Sequence, residues 1–537
     1  MQLTLKGLDA RAEWETAGIA LPTYDVSSVA AKTKEAPVWV HFGIGNIFRI
    51  FLGGIADTLI RKGELDRGIT CVETFDFDIV DQVYTPHDNL TLAVTLQNDG
   101  TTDKRVLGSL AEAIGTRPGN TAAKTRLTEI FRDPGLQLVT FTITEKGYAL
   151  RGTDGSYLPP VREDLAKGPE HTVSCMGIVT AMLYARFRAG AAPLALVSMD
   201  NVSRNGEKLR DAVLEIASAW TQNGLAEPAF LPYVSDESRI SFPWTMIDKI
   251  TPRPGDAVLA ALEADGVEGM QPIVTSRETY IAPFVNAEGP QYLVVEDRFP
   301  NGRPSLEKAG VYMTDRDTVN KSERMKVTAC LNPIHTAVGP YAVLLGYEMF
   351  ADGITDPELS RLATLVGYSE GLPVAPDPGI LSPKAFLEEV LHERFPNRYL
   401  GDTSQRICTD ASMGMAFRFG ETIKAYVERD GTAESLNGIP LAIAGWLRYL
   451  LAIDDNGNTY PLAPDPLKEE FRAQMADITL GDPDSLNDQL KPILSYAGVF
   501  GTDLYRAGIG EQIETIFREE LAGPGAVRAT LKERIPS

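Results

Sequence analysis

Four apolar runs of strand length, each followed by enough residues for a crossover helix, are the feature that most constrains this fold. They are "APVWVHF" (36–42), "GITCVE" (68–73), "LQLVTFTIT" (136–144) and "PLALVSM" (193–199). Parallel strands covered by helices on both faces have this almost continuous apolar character. The sequence therefore predicts an α/β fold with a Rossmann-type, doubly wound, mostly parallel sheet. Two later runs, "QPIVTSRETY" and "QYLVVED", are expected to add strands at an edge of that sheet.

Helical periodicity replaces this pattern after about residue 312. It is visible in "HTAVGPYAVLLGYEMF", "SPKAFLEEVLHERF", "GETIKAYVERD" and "IPLAIAGWLRYLLAI", with Gly and Pro between them. The last stretch has fewer than 18 residues and contains Arg448, so it predicts a buried helix rather than a membrane span. We expect a Rossmann-type domain with insertions over residues 1–312 and a mainly α-helical domain over residues 313–537.

The charge balance excludes several classes of function. The chain of 537 residues has 51 Lys and Arg against 73 Asp and Glu, a net charge of −22. That field repels nucleic acids and anionic membranes, and an anionic substrate would need a local basic pocket. The N-terminal "MQLTLKGLDARAEWE" has charges where a signal peptide needs an apolar core, and the four cysteines form no CxxC pair. These features predict a cytoplasmic protein with reduced thiols and no metal site.

The first predicted strand leads into the motif "VHFGIGNIFR", which opens a helix. A glycine at the first position permits a tight turn, the next glycine lets a pyrophosphate approach the backbone, and the helix start offers free N–H groups. The third glycine of the dinucleotide fingerprint is replaced by an aromatic residue. The motif predicts cofactor binding by Gly43, Ile44, Gly45, Asn46 and Phe48. A plain structural turn is the alternative.

The second predicted strand ends in "CVETFDFD". A carboxylate at this point can bind the ribose hydroxyls of NAD and repel the additional phosphate of NADP. Glu73 is the first candidate and Asp76 the second, so we expect NAD as the cofactor. The alternative is that both acids are solvated loop residues.

Polar residues also follow two later strands. In "SMDNVSRNG", Asn201 and Asn205 are expected at the carboxyl end of the sheet, where open α/β folds bind ligands. Asn201 has a helix cap as its alternative role. "FPWTMIDKITPRP" places Asp248 and Lys249 before a proline turn, which alone would indicate an ordinary loop.

Together these segments resemble the polyol-specific long-chain dehydrogenase/reductase family, which includes mannitol 2-dehydrogenase and the fructuronate and tagaturonate reductases. The resemblance extends over nearly the whole chain. It rests on "HFGIGNIFR", "TITEKGY", "MDNVSRNG", "TMIDKITP", "VVEDRFPNGRP" and "MKVTACLNPIHT" in this order. It implies an NAD-binding first domain and a second domain that contributes substrate-binding and catalytic residues.

The resemblance also implies roles for single residues. A lysine can accept or donate the proton of a secondary alcohol if burial lowers its pKa, and amide groups can hold the developing charge on oxygen. On this basis Lys326 is the acid/base, Asn332 and Asn201 are the oxygen donors, and His335 and Asp248 contact substrate. No metal is needed.

One departure concerns the spacing between the lysine and the asparagine. The family usually has four residues between them, whereas this chain has five between Lys326 and Asn332. The pair Asn332-Pro333 also fits an N-cap followed by the first helical residue. A one-residue bulge would then restore the position of Lys326; in the alternative, Lys326 is a surface lysine. Lys249 stands where the family usually has arginine, which loses bidentate contacts.

A second departure lies in "RICTDASMGM". Arg406 matches a substrate-binding arginine of the family, but Gly414 stands where a lysine is usual. Arg418 and Lys424 are candidates for replacement charge.

The leading interpretation is an NAD-dependent oxidoreductase that interconverts a sugar alcohol or aldonate with its 2-keto sugar or ketouronate. "CLNPIHTA" and "RFGETIKAY" favour the hexuronate branch, such as fructuronate (D-mannonate) reductase. A mannitol- or arabinitol-type 2-dehydrogenase is the alternative within the class, and a non-catalytic NAD-binding regulator is the alternative outside it. The expected partner is a small polyol, ketose or ketouronate, bound by a monomer or small homo-oligomer.

Overall fold

A computed structural model describes residues 1–535 of the chain. The chain divides into two compact units. The first, here called the sheet unit, comprises Met1–Gln97 and Thr101–Asn320. The second, here called the helical unit, comprises Asn98–Gly100 and the chain from Lys321 onward.

A six-stranded, entirely parallel sheet forms the centre of the sheet unit. Its strands lie in the order Leu110–Gly115, Ile69–Glu73, Trp39–Phe42, Leu138–Phe141, Leu194–Ser198 and Ile240–Ser241. Numbered along the chain, this is the order 3-2-1-4-5-6 of the Rossmann fold. The predicted fold class and the four predicted strands are confirmed; the two outer strands were not predicted.

Alternate residues of the central strands enter two separate cores, which explains their continuous apolar character. Val40 and Phe42 face one core, and Trp39 faces the other. Helices cover both faces because each parallel connection must cross over the sheet. The longer helices of this unit are Val26–Glu35, Gly53–Arg61, Thr121–Arg132, Pro159–Lys167, Cys175–Arg188, Asn205–Gln222 and Asp256–Ala264. The shorter ones include Arg11–Thr16, Phe77–Ile79, Thr144–Tyr148 and Phe230–Ser235.

The later strands form sheets of their own, and the prediction that they extend an edge of the parallel sheet was wrong. Ile273–Val274 pairs with Tyr280–Ile281 in a hairpin, and Tyr292–Glu296 is the middle strand of a three-stranded sheet. The outer strands of that sheet are Thr245–Asp248 and Tyr312–Thr314. A further mixed sheet has the order Ile19–Ala20, Thr102–Leu107, Thr91–Leu96 and Phe284–Glu288. Apolar runs identify strands, but they do not identify which sheet a strand joins.

The helical unit contains helices and short turns, as the change in sequence pattern predicts. Its α-helices are Asn332–Leu344, Phe350–Ile354, Pro357–Thr364, Pro383–Glu389, Ser404–Ile407, Ala411–Met415, Glu421–Asp430, Gly438–Tyr449, Lys468–Gln474, Lys491–Leu494, Ala497–Phe500, Gly510–Glu520 and Ala526–Arg534. Helix Arg316–Met325 spans the last residues of the sheet unit and the first of this one. Wide, π-helical turns occur at Lys326–Cys330, Leu365–Gly371, Val390–Arg394 and Ala416–Gly420.

Helix Gly438–Tyr449 is the buried centre of the helical unit, and every one of its residues is buried. It packs against helices Asn332–Leu344 and Gly510–Glu520. Gly445 allows the closest approach, because a Cβ there would lie 2.3 Å from the ring of Tyr341. The predicted buried helix is thus confirmed, and no helix within residues 1–535 is long and apolar enough to cross a membrane.

A buried carboxyl group lies between these three helices. The single proton of the Tyr341 hydroxyl is shared between two acceptors, Glu520 Oε1 at 2.6 Å and the Leu441 carbonyl oxygen at 2.8 Å. Arg448 Nε donates to the main-chain oxygen of Glu520 rather than to its carboxyl group. Glu520 Oε2 has no hydrogen-bond partner within residues 1–535. Burial raises the pKa of Glu520 to about 8.

The Glu520→Gln variant is expected to flatten the dependence of thermal stability on pH. Between the ordinary glutamate pKa and about 8, the folded chain holds a proton that the unfolded chain has released, so stability falls as the pH rises through this window. A glutamine keeps the oxygen that accepts from Tyr341 and cannot ionise. The melting temperature of the variant, relative to wild type, should rise by several degrees from pH 5 to pH 9. Exposed Glu511 on the same helix gives the control Glu511→Gln. Parallel curves for Glu520→Gln and wild type would show that Glu520 does not titrate in this window.

Candidate active site

The turn after strand Trp39–Phe42 has the geometry of a phosphate-binding turn. Gly43 has φ +89°, and a Cβ there would lie 2.1 Å from the Thr142 carbonyl oxygen. A Cβ on Gly45 would meet no protein atom within 4 Å. Helical structure begins at Asn46, so its first N–H groups point toward this open space. The residues present therefore fit a dinucleotide: one glycine makes the turn, and the other leaves room beside the backbone.

The aromatic residue in place of the third glycine belongs to the core. Phe48 is fully buried and stacks on His41, with ring centroids 3.8 Å apart. Burial lowers the pKa of His41 to about 3, and its ring nitrogens bond to Thr140 and to the Gly43 carbonyl oxygen. The Phe48 side chain therefore packs in the core beneath the turn, and cofactor binding by Phe48 stays a prediction. The Ile44 side chain is also fully buried, which leaves its backbone to face a ligand.

Arg49 supports the same turn and was missed in the sequence. Its buried guanidinium donates to the Asn46 Oδ1 atom at 2.8 Å and to the Ala282 carbonyl oxygen at 2.8 Å. These bonds fix the side chain of the first helical residue. In the sequence, the only sign of the bond to Asn46 is that Arg49 lies three positions after it. The bond to Ala282 could not be predicted, because that residue is distant in the chain.

Glu73 lies at the end of its strand beside the glycine turn. Its Oε1 accepts the backbone N–H groups of Thr74, Phe75 and Asp76, and its Oε2 lies 3.4 Å from the Ile44 nitrogen. Burial raises the pKa of Glu73, and these N–H groups oppose part of the rise. One carboxylate oxygen is thus fully used by the loop, while the other faces the turn.

Asp76 has a different environment from Glu73. Its side chain is buried, and Oδ2 accepts the Thr275 hydroxyl at 2.6 Å. Its Oδ1 is buried without a hydrogen-bond partner among residues 1–535. The contact joins the loop after the second strand to the turn of the hairpin that contains Thr275. This arrangement favours a positioning role for Asp76 over direct ribose binding.

The residues after strand Leu194–Ser198 divide into buried and exposed positions. Asn205 is buried and bonds through both side-chain atoms to Thr245 and Asp200, so it fastens the next helix to another strand. Asn201 is exposed and does not cap that helix, whose N-cap is Arg204. Asp248 is the buried last residue of its strand.

Asp200 precedes Asn201 and was missed in the sequence. It accepts the N–H groups of Ile143 and Thr144 and the hydroxyl of Tyr148 at 2.6 Å. Burial raises its pKa above the ordinary value. It thereby joins the ends of two neighbouring parallel strands, and an Asp beside an Asn in a loop gave no separate signal.

In the helical unit, Lys326 begins the π-helical turn Lys326–Cys330 and is 1% exposed. A π turn holds one more residue than an α-helical turn. This is the one-residue bulge expected from the five residues between Lys326 and Asn332. The alternative of a surface lysine was wrong, because the side chain is buried.

Helix Asn332–Leu344 follows directly and presents Asn332, His335 and Thr336 on one face. Its N-cap is Leu331, and no side chain caps it, so the alternative of Asn332 as an N-cap was wrong. Asn332 Oδ1 is buried and has no hydrogen-bond partner in the described part of the chain. The His335 ring packs against Phe395 and Phe350, with centroids 4.1 Å and 4.9 Å away. The face thus combines a fixed imidazole with an unsatisfied amide oxygen.

The three cations considered around Gly414 have different partners. Arg406 is largely exposed and donates to the Asp402 carboxylate, which raises its pKa. Lys424 pairs with Glu421. Arg418 Nη1 donates to the Thr336 hydroxyl at 3.0 Å. Of these three, Arg418 is the one in contact with the helix face that carries Asn332 and His335.

Residues 1–535 contain no group of three or more His, Cys, Asp or Glu side chains placed to hold a metal ion. The four cysteines are free thiols, and burial raises the pKa of Cys330 to about 12. A buried thiol of this kind is a packing group, not a nucleophile.

Comparisons with known proteins agree with this geometry. The family described as "Mannitol dehydrogenase Rossmann domain" matches residues 38–308, and "Mannitol dehydrogenase C-terminal domain" matches residues 318–519. The chain is 50% identical to the D-mannonate oxidoreductase of Thermotoga maritima over 536 residues, which cover 99% of each chain. It is 27% identical to the D-mannonate oxidoreductase of Escherichia coli, with 90% and 92% coverage. The solved ternary complex of Pseudomonas fluorescens mannitol 2-dehydrogenase with NAD and D-mannitol is 26% identical, with 99% coverage of each chain and a TM-score of 0.71.

Alanine substitutions at the two glycines of the turn are expected to affect stability differently. Gly43→Ala forces a Cβ against a carbonyl oxygen, and left-handed backbone alone costs an L-residue about 1–2 kcal/mol. Gly45→Ala meets no protein atom, so it should leave the melting temperature nearly unchanged. Thermal denaturation of both variants without ligand measures the difference. Equal melting temperatures for the two variants would contradict the proposed turn geometry.

Proposed function

Because the chain belongs to the mannitol dehydrogenase family, we propose that it is an NAD-dependent oxidoreductase that interconverts D-mannonate and fructuronate. The family and the relatives indicate that the protein is an oxidoreductase of sugar acids or polyols. The aldonate is favoured because the relative with 50% identity over the full length is a D-mannonate oxidoreductase. A mannitol- or arabinitol-type dehydrogenase remains the competing substrate assignment.

The glycine turn and the second strand of the sheet unit would hold the dinucleotide. The N–H groups from Gly45 and Asn46 onward would receive the pyrophosphate, and Glu73 Oε2 would accept the ribose hydroxyls. When bound, NAD accepts the hydride from the alcohol carbon, and NADH returns it to the ketone. Asp76 and Arg49 position these groups through Thr275 and Asn46.

Lys326 is the proposed acid/base, and its burial in the π-helical turn that precedes helix Asn332–Leu344 is the observation that carries the proposal. Burial disfavours the charged form of a lysine, which allows proton exchange near neutral pH. In oxidation, the neutral amine takes the hydroxyl proton. In reduction, the ammonium form gives a proton to the carbonyl oxygen. No metal ion is part of this proposal.

The other polar groups have supporting roles. The Asn332 amide nitrogen would donate to the reacting oxygen, and its Oδ1 atom, which has no hydrogen-bond partner within residues 1–535, would accept from a substrate hydroxyl. His335, fixed between two aromatic rings, would contact substrate hydroxyls. Asn201 and Asp248 of the sheet unit are proposed as the second oxygen donor and a further hydroxyl contact. Arg406 is also proposed to bind substrate, which requires that its ion pair with Asp402 is broken.

The Lys326→Ala variant should lower fructuronate reduction by about 10²–10⁴-fold, the usual contribution of a general acid–base group. NADH affinity should remain nearly unchanged, because Lys326 is not assigned a cofactor contact. NADH oxidation with fructuronate, tagaturonate, fructose and ribulose gives the comparison, and wild type should prefer fructuronate. Added small amines are expected to restore part of the lost rate. Lys321→Ala provides a control from the same stretch of chain. A Lys326→Ala enzyme with most of its activity at neutral pH would rule out this assignment.

Glu73→Gln should raise the NADPH-to-NADH ratio of kcat/KM by at least about tenfold, or ~1.4 kcal/mol. The amide keeps an oxygen for the three loop N–H groups but removes the charge that repels a 2′-phosphate. Glu73→Ser removes both features and should change the ratio in the same direction with weaker NADH binding. Steady-state kinetics with each cofactor gives the ratio. A wild-type preference for NADPH, or a ratio that neither variant changes, would refute the role of Glu73.

A further inference from the structure

Arg418 is a partly buried cation without a carboxylate partner in the described chain. It lies on the π-helical turn Ala416–Gly420, and its hydrogen bond is to the neutral Thr336 hydroxyl. Burial lowers the pKa of Arg418 from its ordinary value, and Asp410 opposes part of that shift. Within residues 1–535, Asp410 acts on Arg418 through its charge and forms no ion pair with it. A guanidinium carries five N–H donors, so most of its donors are left for another acceptor.

The backbone is built to leave space for this side chain. Gly414 lies four residues earlier, one helical turn away, and has no Cβ. A Cβ at this position would lie 2.4 Å from Arg418 Nε and 2.5 Å from Cζ. The guanidinium therefore occupies the space that any other side chain at position 414 would enter. The position of the Arg418 side chain therefore depends on the absence of a side chain at Gly414.

This arrangement is directed at the same helix face as the candidate substrate groups. Thr336, which accepts from Arg418, lies one residue after His335 and four after Asn332. Positions i, i+3 and i+4 share one face of an α-helix. The turns Ala416–Gly420 and Lys326–Cys330 also pack on each other, and Thr422 donates to the Thr328 carbonyl oxygen. Arg418 thus contacts this helix face one turn away from Asn332, the residue assigned to the reacting oxygen.

The neighbouring cations are neutralised by carboxylates. Arg406 pairs with Asp402, and both Lys424 and Arg324 pair with Glu421. In a chain with a net charge of −22, an anionic substrate needs a local positive group that is not already paired. Among these four cations, Arg418 is the one with no carboxylate within salt-bridge distance.

We propose that Arg418, in the space provided by Gly414, binds the carboxylate of the substrate and selects sugar acids over neutral sugars. The inference rests on the proposed function, because it assigns the substrate class of that same site. A planar guanidinium presents paired N–H groups that match a carboxylate, whereas a hydroxymethyl group offers one acceptor and no charge. The selection is therefore electrostatic and directional.

The test compares fructuronate with fructose, which differ by a carboxylate in place of a hydroxymethyl group. With saturating NADH, Arg418→Ala should lower kcat/KM for fructuronate by about 10- to 150-fold, the value of a hydrogen bond to a charged group. The loss should lie mainly in KM. The kcat/KM for fructose, measured at high enzyme concentration, should stay within about twofold, since fructose has no charge to lose. Arg418→Lys should restore part of the preference.

Gly414→Ala gives an independent test that leaves Arg418 in the sequence. The added Cβ displaces the guanidinium, so this variant should reproduce the selective loss with fructuronate. Alanine favours helix more than glycine, so the variant should fold, which a thermal scan verifies. Lys424→Ala removes a nearby cation that is already paired and should not change the ratio of the two substrates.

Three results would overturn the inference. Equal losses with both substrates in Arg418→Ala would give the residue a structural role only. A wild-type preference for fructose would contradict selection for the carboxylate while leaving an NADH-dependent oxidoreductase intact. A wild type that reduces neither sugar, nor tagaturonate or ribulose, would refute the proposed function and this inference with it.

Discussion

The burial of the Lys326 side chain is the constraint on which the candidate site of the helical unit depends. Removing an ammonium group from water costs several kcal/mol unless its surroundings compensate, so a buried lysine is seldom a neutral packing choice. Here the backbone places it with a π-helical turn that absorbs one additional residue before helix Asn332–Leu344. The same turn packs on Ala416–Gly420, a second π-helical turn. Irregular helical turns thus hold the lysine and Arg418, and such turns are frequent at functional sites.

The distribution of charged groups also distinguishes the candidate site from the rest of the chain. The chain is strongly acidic, and Arg324, Arg406 and Lys424 in the helical unit pair with carboxylates. Two groups differ from this pattern within residues 1–535: the Arg418 guanidinium has no carboxylate partner, and the buried Asn332 oxygen has no hydrogen-bond partner, although buried polar groups are normally satisfied. In the sheet unit, Glu73 offers the corresponding negative group beside the glycine turn. Under the proposed function, Glu73 would bind the ribose of the cofactor, and Lys326 and Asn332 would act on the reacting oxygen.

Much of the sheet unit could be predicted because its central strands are fully buried and therefore have apolar sequences. The four central strands are buried on both faces, so their sequences are apolar throughout. Strand Leu110–Gly115 was missed because it lies at the sheet edge and is only partly buried. Thr102–Leu107 was missed because it begins with exposed polar residues, as "TDKRVL" shows. The local sequence pattern indicates how buried a strand is, and edge strands are less buried than central strands.

The candidate site was predictable to a different extent. The residue types and order around Lys326 and Asn332 were readable, and the additional residue between them predicted a bulge. The roles of Asp200, Asp76 and Glu520 could not be predicted, because the identity of an acidic residue does not show whether it is buried or solvated. Phe48 belongs to the predicted cofactor motif, and the sequence did not show that its side chain packs on His41. These assignments depend on contacts between residues that are distant in the chain.

The proposed reaction depends on the transfer of one proton to or from the Nζ atom of Lys326. A crystal structure of the complete enzyme with NADH and D-mannonate would measure the distance from Lys326 Nζ to the oxygen on the reacting carbon. Direct proton transfer requires about 2.6–3.2 Å between these atoms, or one bridging water. We predict a distance in this range, with the Asn332 amide at the same oxygen. A Lys326 nitrogen directed away from the substrate, with another titratable group in contact with that oxygen, would contradict it.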